Sequence, residues 1–491
     1  MLPPDYLEHV ADDVLELYSE LDQTIVRDIV RRLVKTGEVT STARWQLAMA
    51  QESGLLYDQI IAEVARCSNT SEQQVRTVFE DAGVKAVYFD AEIYKAAGLS
   101  PPPFAISPAA LQVLNAGVIK TNGYLRNLTM TTANQAQQAY ISVATLAEMQ
   151  VESGAFDYDT AIKNAVRSAA KEGAWVQYPT GHRDRLDVAI RRAVLTGVGQ
   201  TAAQISIAYA DDMGCDLVET TAHAGARPAH MEWQGRVFSR SGRSPKYPDF
   251  ESSTGYGTGS GLCGYNCRHS FFPFFEGLSA LAYPREKLQE YENRTVMYEG
   301  QKFLLYDATQ MQRSMERDIR SIKRELAAYD EAVKSGASMQ GEFEAAAVKL
   351  KRQEAKLNDF LRQTELGKDS ARLQVAGFGR SQAQKAVWAN KRVLSYGELK
   401  GISTPNGITV SGATIHFGER AVSRGVSIPD IQDALTSPLR IGKIKIDSAG
   451  RKSVELTGKN ARVQINPADG SLITVWKTSD KLRRRLQGEN K

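Results

Sequence analysis

The chain has 491 residues, of which 42% are hydrophobic and 24% charged, the ordinary composition of soluble globular proteins. This length exceeds what one hydrophobic core usually organises, so about three domains are expected. No apolar run reaches the ~18 residues that cross a bilayer, and no secretory signal is visible, which predicts synthesis in a cytoplasm and no membrane contact. Four cysteines in so long a chain do not predict a disulfide framework.

The net charge of +4 is unevenly distributed along the chain. Residues 398–491 carry 16 Lys and Arg against nine Asp and Glu, whereas the remainder is slightly acidic. A basic module at one end predicts a polyanionic partner, most simply nucleic acid. A solvated basic tail is the alternative, because residues 481–485 alone supply four of the positive charges.

Residues 5 to about 100 have the periodicity of helices. A long apolar stripe, which ends at the break 35–37, consists of Val10, Val14, Leu17, Leu21, Ile25, Ile29 and Leu33. Ser71 and Gln74 have capping-box spacing, which predicts a new helix start. For residues 55–82 we therefore expect two short helices in preference to a DNA-reading helix-turn-helix. Ser100-Pro-Pro-Pro103 predicts an extended linker.

The helical pattern continues from 105 to 212 and then breaks. Its last segment carries arginines that could face another protein or DNA, or simply solvent: Arg183, Arg185, Arg191 and Arg192. Residues 213–280 are rich in Gly, Pro and aromatic side chains, which predicts irregular structure around a compact site.

A helical hairpin is predicted next, followed by a polar connector (366–397). Its first helix carries a coiled-coil seam of Met311, Met315, Ile319, Ile322, Leu326, Tyr329 and Val333. From 398 onward the pattern becomes α+β, with one or two short helices in 416–437 and strands at 441–446, 453–456, 461–465 and 472–476.

The predicted fold is therefore multidomain. It comprises a helical N-terminal region (1–100), a helical region that ends in a Cys/His-rich segment (104–283), a helical-hairpin spacer with its connector (284–397), and an α+β domain (398–491) with a four-stranded antiparallel sheet.

Scarce side chains cluster in the middle of the chain. Three of the six histidines and two of the four cysteines lie within 223–269. Cys263, Cys267 and His269 offer three zinc ligands within seven residues, and the tetrahedron could be completed by His230, His223 or Cys215. A structural zinc would suit a loop-rich region, because the metal supplies folding energy directly. A buried, hydrogen-bonded Cys/His/Arg cluster and an enzymatic site are the alternatives.

Two sequence blocks in this region also resemble a known family. His223-x-Gly-x-Arg-Pro-x-His230-x-x-Trp-Gln-Gly and Gly261-Leu-Cys-Gly-x-Asn-Cys267-Arg-His269 resemble the centre of tailed-phage minor capsid proteins, relatives of the Mu-F type head-morphogenesis proteins. Mu-F relatives end in an Asn-Cys-Arg-Cys run, so His269 conserves ligand character. The resemblance covers roughly residues 1–300. It implies a virion protein that is assembled in the host cytoplasm and attaches to the portal and other capsid proteins.

The C-terminal module carries His416, Arg420 and Arg424 four residues apart, so a helix would align them on one face. An imidazole that moves protons near neutral pH, beside two fixed cations, suits metal-independent RNA cleavage. In that reaction a base removes the 2′-OH proton and guanidinium groups stabilise the phosphorane. A solvated basic helix face is the alternative.

These residues, with Lys443, Asn466-Pro-x-x-Gly470 and Thr474-Val-Trp476, resemble the barnase/EndoU/colicin/RelE type of nuclease domain. The resemblance implies a general acid/base (His416), phosphate ligands (Arg420, Arg424), a group that positions phosphate or the 2′-OH (Thr474) and a further candidate (Lys443), without a cofactor. It implies an RNA substrate and, for a toxin, an immunity protein. The alternatives are a structural protein whose basic end binds nucleic acid without catalysis, and a toxin delivered on a capsid adaptor.

Overall fold

The computed structural model describes residues 1–37, 42–154, 156–178, 180–447 and 452–488, and it is mostly helical. The helices are α1 (Pro4–His9), α2 (Asp12–Thr36), α3 (Thr42–Ala96), α4 (Pro108–Glu152), α5 (Tyr158–Glu172), α6 (Leu186–Asp212), α7 (Pro228–Met231), α8 (Phe250–Thr254), α9 (Arg285–Asn293), α10 (Leu305–Lys334), α11 (Gln340–Thr364), α12 (Arg380–Leu394), α13 (Ile415–Ser423), α14 (Ile428–Thr436) and α15 (Asp480–Gln487). Short 3₁₀ turns lie at Phe104–Ile106, Ala371–Leu373 and Ser395–Leu399.

Within the described residues, the strands are short and form four separate sheets. They are β1 (Trp175–Gln177), β2 (Arg183–Arg185), β3 (Leu217–Thr220), β4 (Val237–Ser239), β5 (Phe271–Pro273), β6 (Thr295–Tyr298), β7 (Gln301–Leu304), β8 (Gly412–Ala413), β9 (Arg440–Ile441), β10 (Lys445–Ile446), β11 (Lys452–Thr457), β12 (Ala461–Ile465) and β13 (Ser471–Lys477). β1 pairs with β2, β6 pairs with β7, and β3 lies between β4 and β5, all antiparallel. The fourth sheet belongs to the C-terminal domain.

From Val14 onward, the predicted apolar stripe forms the buried face of α2, whereas Val10 is the C-cap of α1. Val14, Leu21 and Leu33 are almost fully buried, and the helix ends at Thr36 with Gly37 as its C-cap. The predicted helix start at Ser71 is wrong. The α3 helix runs through this point without interruption, and the Ser71 hydroxyl donates back to the carbonyl oxygen of Ser68, three residues earlier in the same helix. The capping-box spacing at Ser71 therefore does not mark the start of a helix. Packing against α2 and α4 stabilises α3 along its whole length.

The predicted helical hairpin is present as α10 and α11, and it packs against the N-terminal helices. Ile319, Ile322 and Leu326 of α10 share one hydrophobic core with residues of α2 to α6. Phe360 of α11 belongs to the same core, where its ring meets Tyr298 edge to face. The hairpin is thus a structural layer of the main helical body, while the exact domain limits stay a prediction.

The C-terminal domain has the two predicted short helices, α13 and α14, packed on a sheet that is mixed. The prediction of a four-stranded antiparallel sheet needs correction, because β8 joins β13 in parallel at the edge. The predicted strand 441–446 is divided into β9 and β10, which both pair with β11. Thr414, the N-cap of α13, donates to the carbonyl oxygen of Leu472 and so ties the helix to β13.

The core of the C-terminal domain includes one side chain from outside it. Val348 of α11 is buried together with residues such as Phe417 and Leu472. At Gly341 of α11, an added Cβ would lie 2.5 Å from the carbonyl oxygen of Val422. The C-terminal domain therefore packs against the α10–α11 hairpin, with close backbone contact at Gly341. Among the described residues, no helix is long and apolar enough to cross a membrane.

Candidate functional site

The Cys/His-rich segment is organised by the three-stranded sheet β4-β3-β5. His230 lies on α7, one turn after the Arg227–Pro228 helix start, and His269 lies two residues before β5. Between them, the glycine-rich loop folds back on itself so tightly that a Cβ on Gly261 would lie 2.0 Å from the carbonyl oxygen of Gly255. Glycine is required there because no side chain fits. This tight turn places Cys267 beside His230 and His269.

Three buried side chains converge at the centre of the segment. The Nδ1 atoms of His230 and His269 are 3.4 Å apart. The Sγ atom of Cys267 lies 3.8 Å from the first and 3.6 Å from the second. All three residues are at most 4% exposed. We call this group the Cys/His triad.

Hydrogen bonds on the far sides of the rings fix where their protons sit. The Nε2 atom of His230 is 2.9 Å from the carbonyl oxygen of Ser260, which can only accept. The Nε2 atom of His269 is 3.1 Å from the Oε1 atom of Gln234, and the backbone N–H of His223 donates to that same oxygen. Both Nε2 atoms therefore carry a proton, and both Nδ1 atoms present lone pairs.

The surroundings keep the triad uncharged in the absence of a further partner. Burial lowers the pKa of His230, and burial together with neighbouring positive groups lowers the pKa of His269 well below its usual range. Burial likewise raises the pKa of the Cys267 thiol. Neutral imidazole is the form that binds metals.

The other predicted ligand residues lie nearby but outside the converging group. The Sγ atom of Cys263 contacts the carbonyl oxygen of His269 at 3.6 Å and is not among the ligand atoms that lie within 4.8 Å of one another. His223 stacks on His269, with ring centroids 4.5 Å apart, and its Nδ1 faces the carbonyl oxygen of Ala224. The Cys215 thiol donates to the carbonyl oxygen of Leu217.

Sequence reasoning missed a charged cluster beside the triad. The Glu8 carboxylate accepts hydrogen bonds from Arg268, Arg313 and Arg372, and the Glu8 carbonyl oxygen accepts from Arg191. We call these five residues the Glu8–arginine cluster. They come from α1, α6, the Cys/His segment, α10 and the turn after α11, so no local sequence pattern could have revealed the cluster.

The electrostatics of this cluster are strongly coupled. Burial by itself would raise the pKa of Glu8, but the surrounding guanidinium groups outweigh burial and hold the pKa at about 2. Burial and the positive charge of Arg372 lower the pKa of Arg191 to about 10. The cluster and the triad line a common pocket of about 310 Å³. Among the described residues, seven arginines and two glutamates line it: Arg191, Arg227, Arg268, Arg313, Arg317, Arg320, Arg372, Glu8 and Glu316.

The four arginines that sequence reasoning assigned to a docking or solvated face have partners inside the protein. Arg183 lies over the Trp175 ring, 5.0 Å from its centroid, and Arg192 pairs with Asp184 at 2.9 Å. Arg185 donates to the carbonyl oxygen of Glu172, and Arg191 belongs to the Glu8–arginine cluster.

Comparison with known proteins identifies the family of this chain. Residues 2–362 match the family described as "Phage minor capsid protein 2", which is well over half of the chain. The chain belongs to that family. The match includes the triad, four of the five residues of the Glu8–arginine cluster and all but the last two residues of the α10–α11 hairpin, and it ends before Arg372 and the C-terminal domain.

Two phage proteins that are similar in sequence to this minor capsid protein are both described as structural proteins. A "Structural protein" of Lactococcus phage LL-H is 26% identical over 299 residues, which covers 57% of this chain and 76% of that protein. A "Structural protein" of Lactococcus phage mv4 is 35% identical over 86 residues, which covers 17% of this chain and 60% of that protein. No solved structure matches. The chain is thus a structural protein of the phage virion.

In the C-terminal domain of the minor capsid protein, most of the predicted site residues lie at or near the surface, whereas Thr474 is buried. His416 and Arg420 are exposed on α13, and Arg424 is the C-cap of that helix. Lys443 is exposed in the gap between β9 and β10, and Thr474 lies on β13 opposite Gln464. Among the described residues, no hydrogen bond joins His416 to any of the other four.

One contact in this domain was missed by sequence reasoning. Arg424 donates to the carbonyl oxygen of Val475 at 2.5 Å, and its guanidinium lies 5.0 Å from the centroid of the Trp476 ring. Arg462, whose register partner is Trp476, lies 5.5 Å from the same centroid. Strand alternation alone could have placed Arg462 on the Trp476 face. We call Arg424, Arg462 and Trp476 the Arg–Trp face.

Proposed function

We propose that this minor capsid protein docks at the portal vertex through one end of the α3–α4 hairpin. Val84, Tyr88 and Ile106 carry this proposal, because they are large apolar side chains exposed by 50%, 74% and 67% at the same end of the hairpin. Phe104 joins them, since its ring would lie only 2.8 Å from a Cβ on Gly83. Exposed apolar patches of this kind are typical of protein interfaces.

A matched pair of isoleucine variants tests the docking proposal. Ile106→Asp places a charge in the patch, whereas Ile119→Asp changes an equally exposed isoleucine of α4, 72% exposed, outside it. With the portal protein of the same phage, we expect Ile106→Asp to weaken binding about tenfold or more and Ile119→Asp to leave it unchanged. Equal binding by the wild type and Ile106→Asp would reject the patch. No binding by the wild type would reject portal docking.

For the C-terminal domain, we propose contact with nucleic acid through the Arg–Trp face. An aromatic ring flanked by guanidinium groups offers a base a stacking surface and offers phosphates two fixed cations. Arg462 shares its charge with Glu455 at 3.8 Å, whereas Arg424 has no carboxylate partner among the described residues. A guanidinium that has no carboxylate partner and is held against a half-buried ring supports binding of single-stranded nucleic acid.

RNA cleavage by this domain is the second proposed activity. The observation that favours it is the placement of His416 and Arg420 two turns and one turn before Arg424 on α13. In this scheme His416 removes the 2′-OH proton, the 2′-oxygen attacks the phosphorus while the bond to the 5′-oxygen breaks, and that leaving oxygen takes a proton from water. Arg420 and Arg424 neutralise the phosphate. Thr474 and Lys443 would orient the phosphate group.

The full chain, purified with and without His416→Ala, distinguishes these proposals on a labelled single-stranded RNA. Full-chain protein is required because Val348 of α11 belongs to the core of the domain. Binding by both proteins with cleavage only by the wild type would support an RNase. Binding without cleavage by either would leave a nucleic-acid-binding capsid protein. Cleavage by His416→Ala at the wild-type rate would reject the role of His416, and absence of binding would reject both activities.

A toxin delivered on a capsid adaptor predicts one additional result. Expression of the full chain in the host would arrest growth, the His416→Ala variant would not, and an immunity protein encoded next to it would restore growth. Normal growth with soluble wild-type protein would reject this version of the proposal.

A further inference from the structure

Two lone pairs face each other inside the Cys/His triad. The Nδ1 atoms of His230 and His269 are 3.4 Å apart, and both rings have already committed their protons to Ser260 and Gln234 on the opposite side. The Cys267 thiol can donate its single proton to one of these two Nδ1 atoms. The other Nδ1 atom is then left without a hydrogen-bond donor. A buried acceptor without a partner costs about 1–3 kcal/mol. The geometry therefore suits a positive or electron-accepting partner at the centre.

The distances within the triad are those of ligands around a tetrahedral zinc ion. Zinc lies about 2.0–2.1 Å from nitrogen and about 2.3 Å from sulfur, so tetrahedral angles place two nitrogens about 3.4 Å apart and nitrogen and sulfur about 3.6 Å apart. The measured separations are 3.4 Å between nitrogens, and 3.6 Å and 3.8 Å between sulfur and nitrogen.

Hydrogen bonds around the triad are those that metal ligands need. A zinc-bound histidine almost always donates its other ring N–H to a carbonyl or carboxylate oxygen, as both rings do here. The backbone N–H of His269 donates to the Cys267 sulfur at 3.4 Å, which suits a thiolate. These contacts orient all three ligands without the metal.

We infer that His230 and His269, through Nδ1, and Cys267, through Sγ, bind one Zn²⁺ ion. Cys263 is not a ligand in this arrangement, because its thiol contacts the carbonyl oxygen of His269. The three ligand residues line the arginine-rich pocket, so water from that pocket completes the tetrahedron. The ion links α7 to the segment before β5 and stabilises a region with little regular secondary structure.

Two alanine variants of the full chain test the site. Cys267→Ala removes a ligand, and Cys263→Ala removes an equally buried cysteine four residues away. After purification without chelator, we expect about one zinc per chain in the wild type and in Cys263→Ala, and less than about 0.2 in Cys267→Ala. Circular dichroism shows whether each variant is folded.

A cobalt-substituted wild-type protein provides a second readout that needs no variant. Co²⁺ in the proposed site would show the intense visible bands of tetrahedral coordination and the charge-transfer band of one thiolate. A wild-type protein that holds less than about 0.2 zinc after dialysis against zinc would overturn the proposal. Loss of zinc from Cys263→Ala, or a cobalt spectrum with two thiolates, would overturn the ligand set.

Discussion

The Cys/His segment and the C-terminal domain bring reactive side chains together in two different ways. In the first, His230 comes from α7, Cys267 and His269 come from a loop some forty residues later, and their ligand atoms lie within 4 Å of one another. In the second, His416 and Arg424 follow one helix, so they are about 12 Å apart along its axis. Separate segments that converge build an enclosed site, whereas a row along one helix builds a surface.

The stability of the region around the Cys/His triad depends on the Glu8–arginine cluster. Glu8→Gln is therefore expected to have the largest effect on the free energy of unfolding. This change leaves Arg268, Arg313 and Arg372 without their shared carboxylate, which should lower the free energy of unfolding by about 3 kcal/mol at neutral pH. Urea denaturation measures the difference. Glu16→Gln, at an exposed position of α2, is the control and should change stability by less than about 0.5 kcal/mol.

The pH dependence of the same variant provides a sharper test. The pKa of Glu8 is about 2 in the folded protein and is lowered from 4.5. A lowered folded-state pKa stabilises the protein above the unfolded-state value, and the contribution disappears as pH falls from about 4.5 to about 2. The wild type and Glu8→Gln should therefore converge in stability over this range. A difference that persists at pH 2 would show that the effect comes from packing.

The sequence predicted most helices because each has an apolar face with regular spacing. The stripe from Val14 to Leu33 and the seam from Met315 to Tyr329 both became buried faces. The same reasoning failed at Ser71, where a local cap signal competes with the packing of one long helix. It also missed β8, because a two-residue parallel strand has no periodicity of its own.

The candidate sites were predictable only where rare residue types were involved. Cysteine and histidine are scarce in this chain, so their clustering pointed to the triad. Arginine and glutamate are common, so nothing marked Glu8 as the partner of Arg268, 260 residues away. The choice between Cys263 and Cys267 as ligand depends on loop geometry that ligand spacing does not determine.

Gln234→Leu is expected to have the next largest effect, which is on zinc affinity. It tests whether the three converging side chains bind the metal without a residue that orients them. This amide oxygen accepts a hydrogen bond from the Nε2–H of His269 and fixes the tautomer whose Nδ1 faces the proposed zinc site. Loss of such an orienting group typically weakens metal binding about 10- to 100-fold. Competition with a zinc chelator measures the affinity, and Gln289→Leu, at an exposed position of α9, serves as the control. Unchanged affinity would mean that the three ligands are oriented without Gln234.

Val348→Ala tests how strongly the C-terminal domain depends on the helical body. This side chain is 5% exposed and lies in the core of the domain, although it comes from α11. Its truncation should lower the stability of the domain by about 2 kcal/mol, because a cavity remains between the two parts. Hydrogen–deuterium exchange of β12 and β13 at increasing urea, measured by mass spectrometry of their peptides, reports the change in this domain. Lys356→Ala, at an exposed position of the same helix, should have no effect, and an equal loss in both variants would contradict a shared core.

The smallest expected effect concerns RNA binding at the Arg–Trp face, where each residue contributes nearly independently to the affinity. Arg424→Gln should weaken RNA binding modestly and reduce the slope of log affinity against log salt by about one phosphate contact, or ~0.7 for a single strand. Arg485→Gln removes an exposed charge from α15 instead. A fixed Arg–Trp face predicts a larger loss for Arg424→Gln, since that guanidinium is held by Val475 and Trp476. Equal losses would mean that the basic end attracts RNA through its total charge, and that the face is a solvated surface.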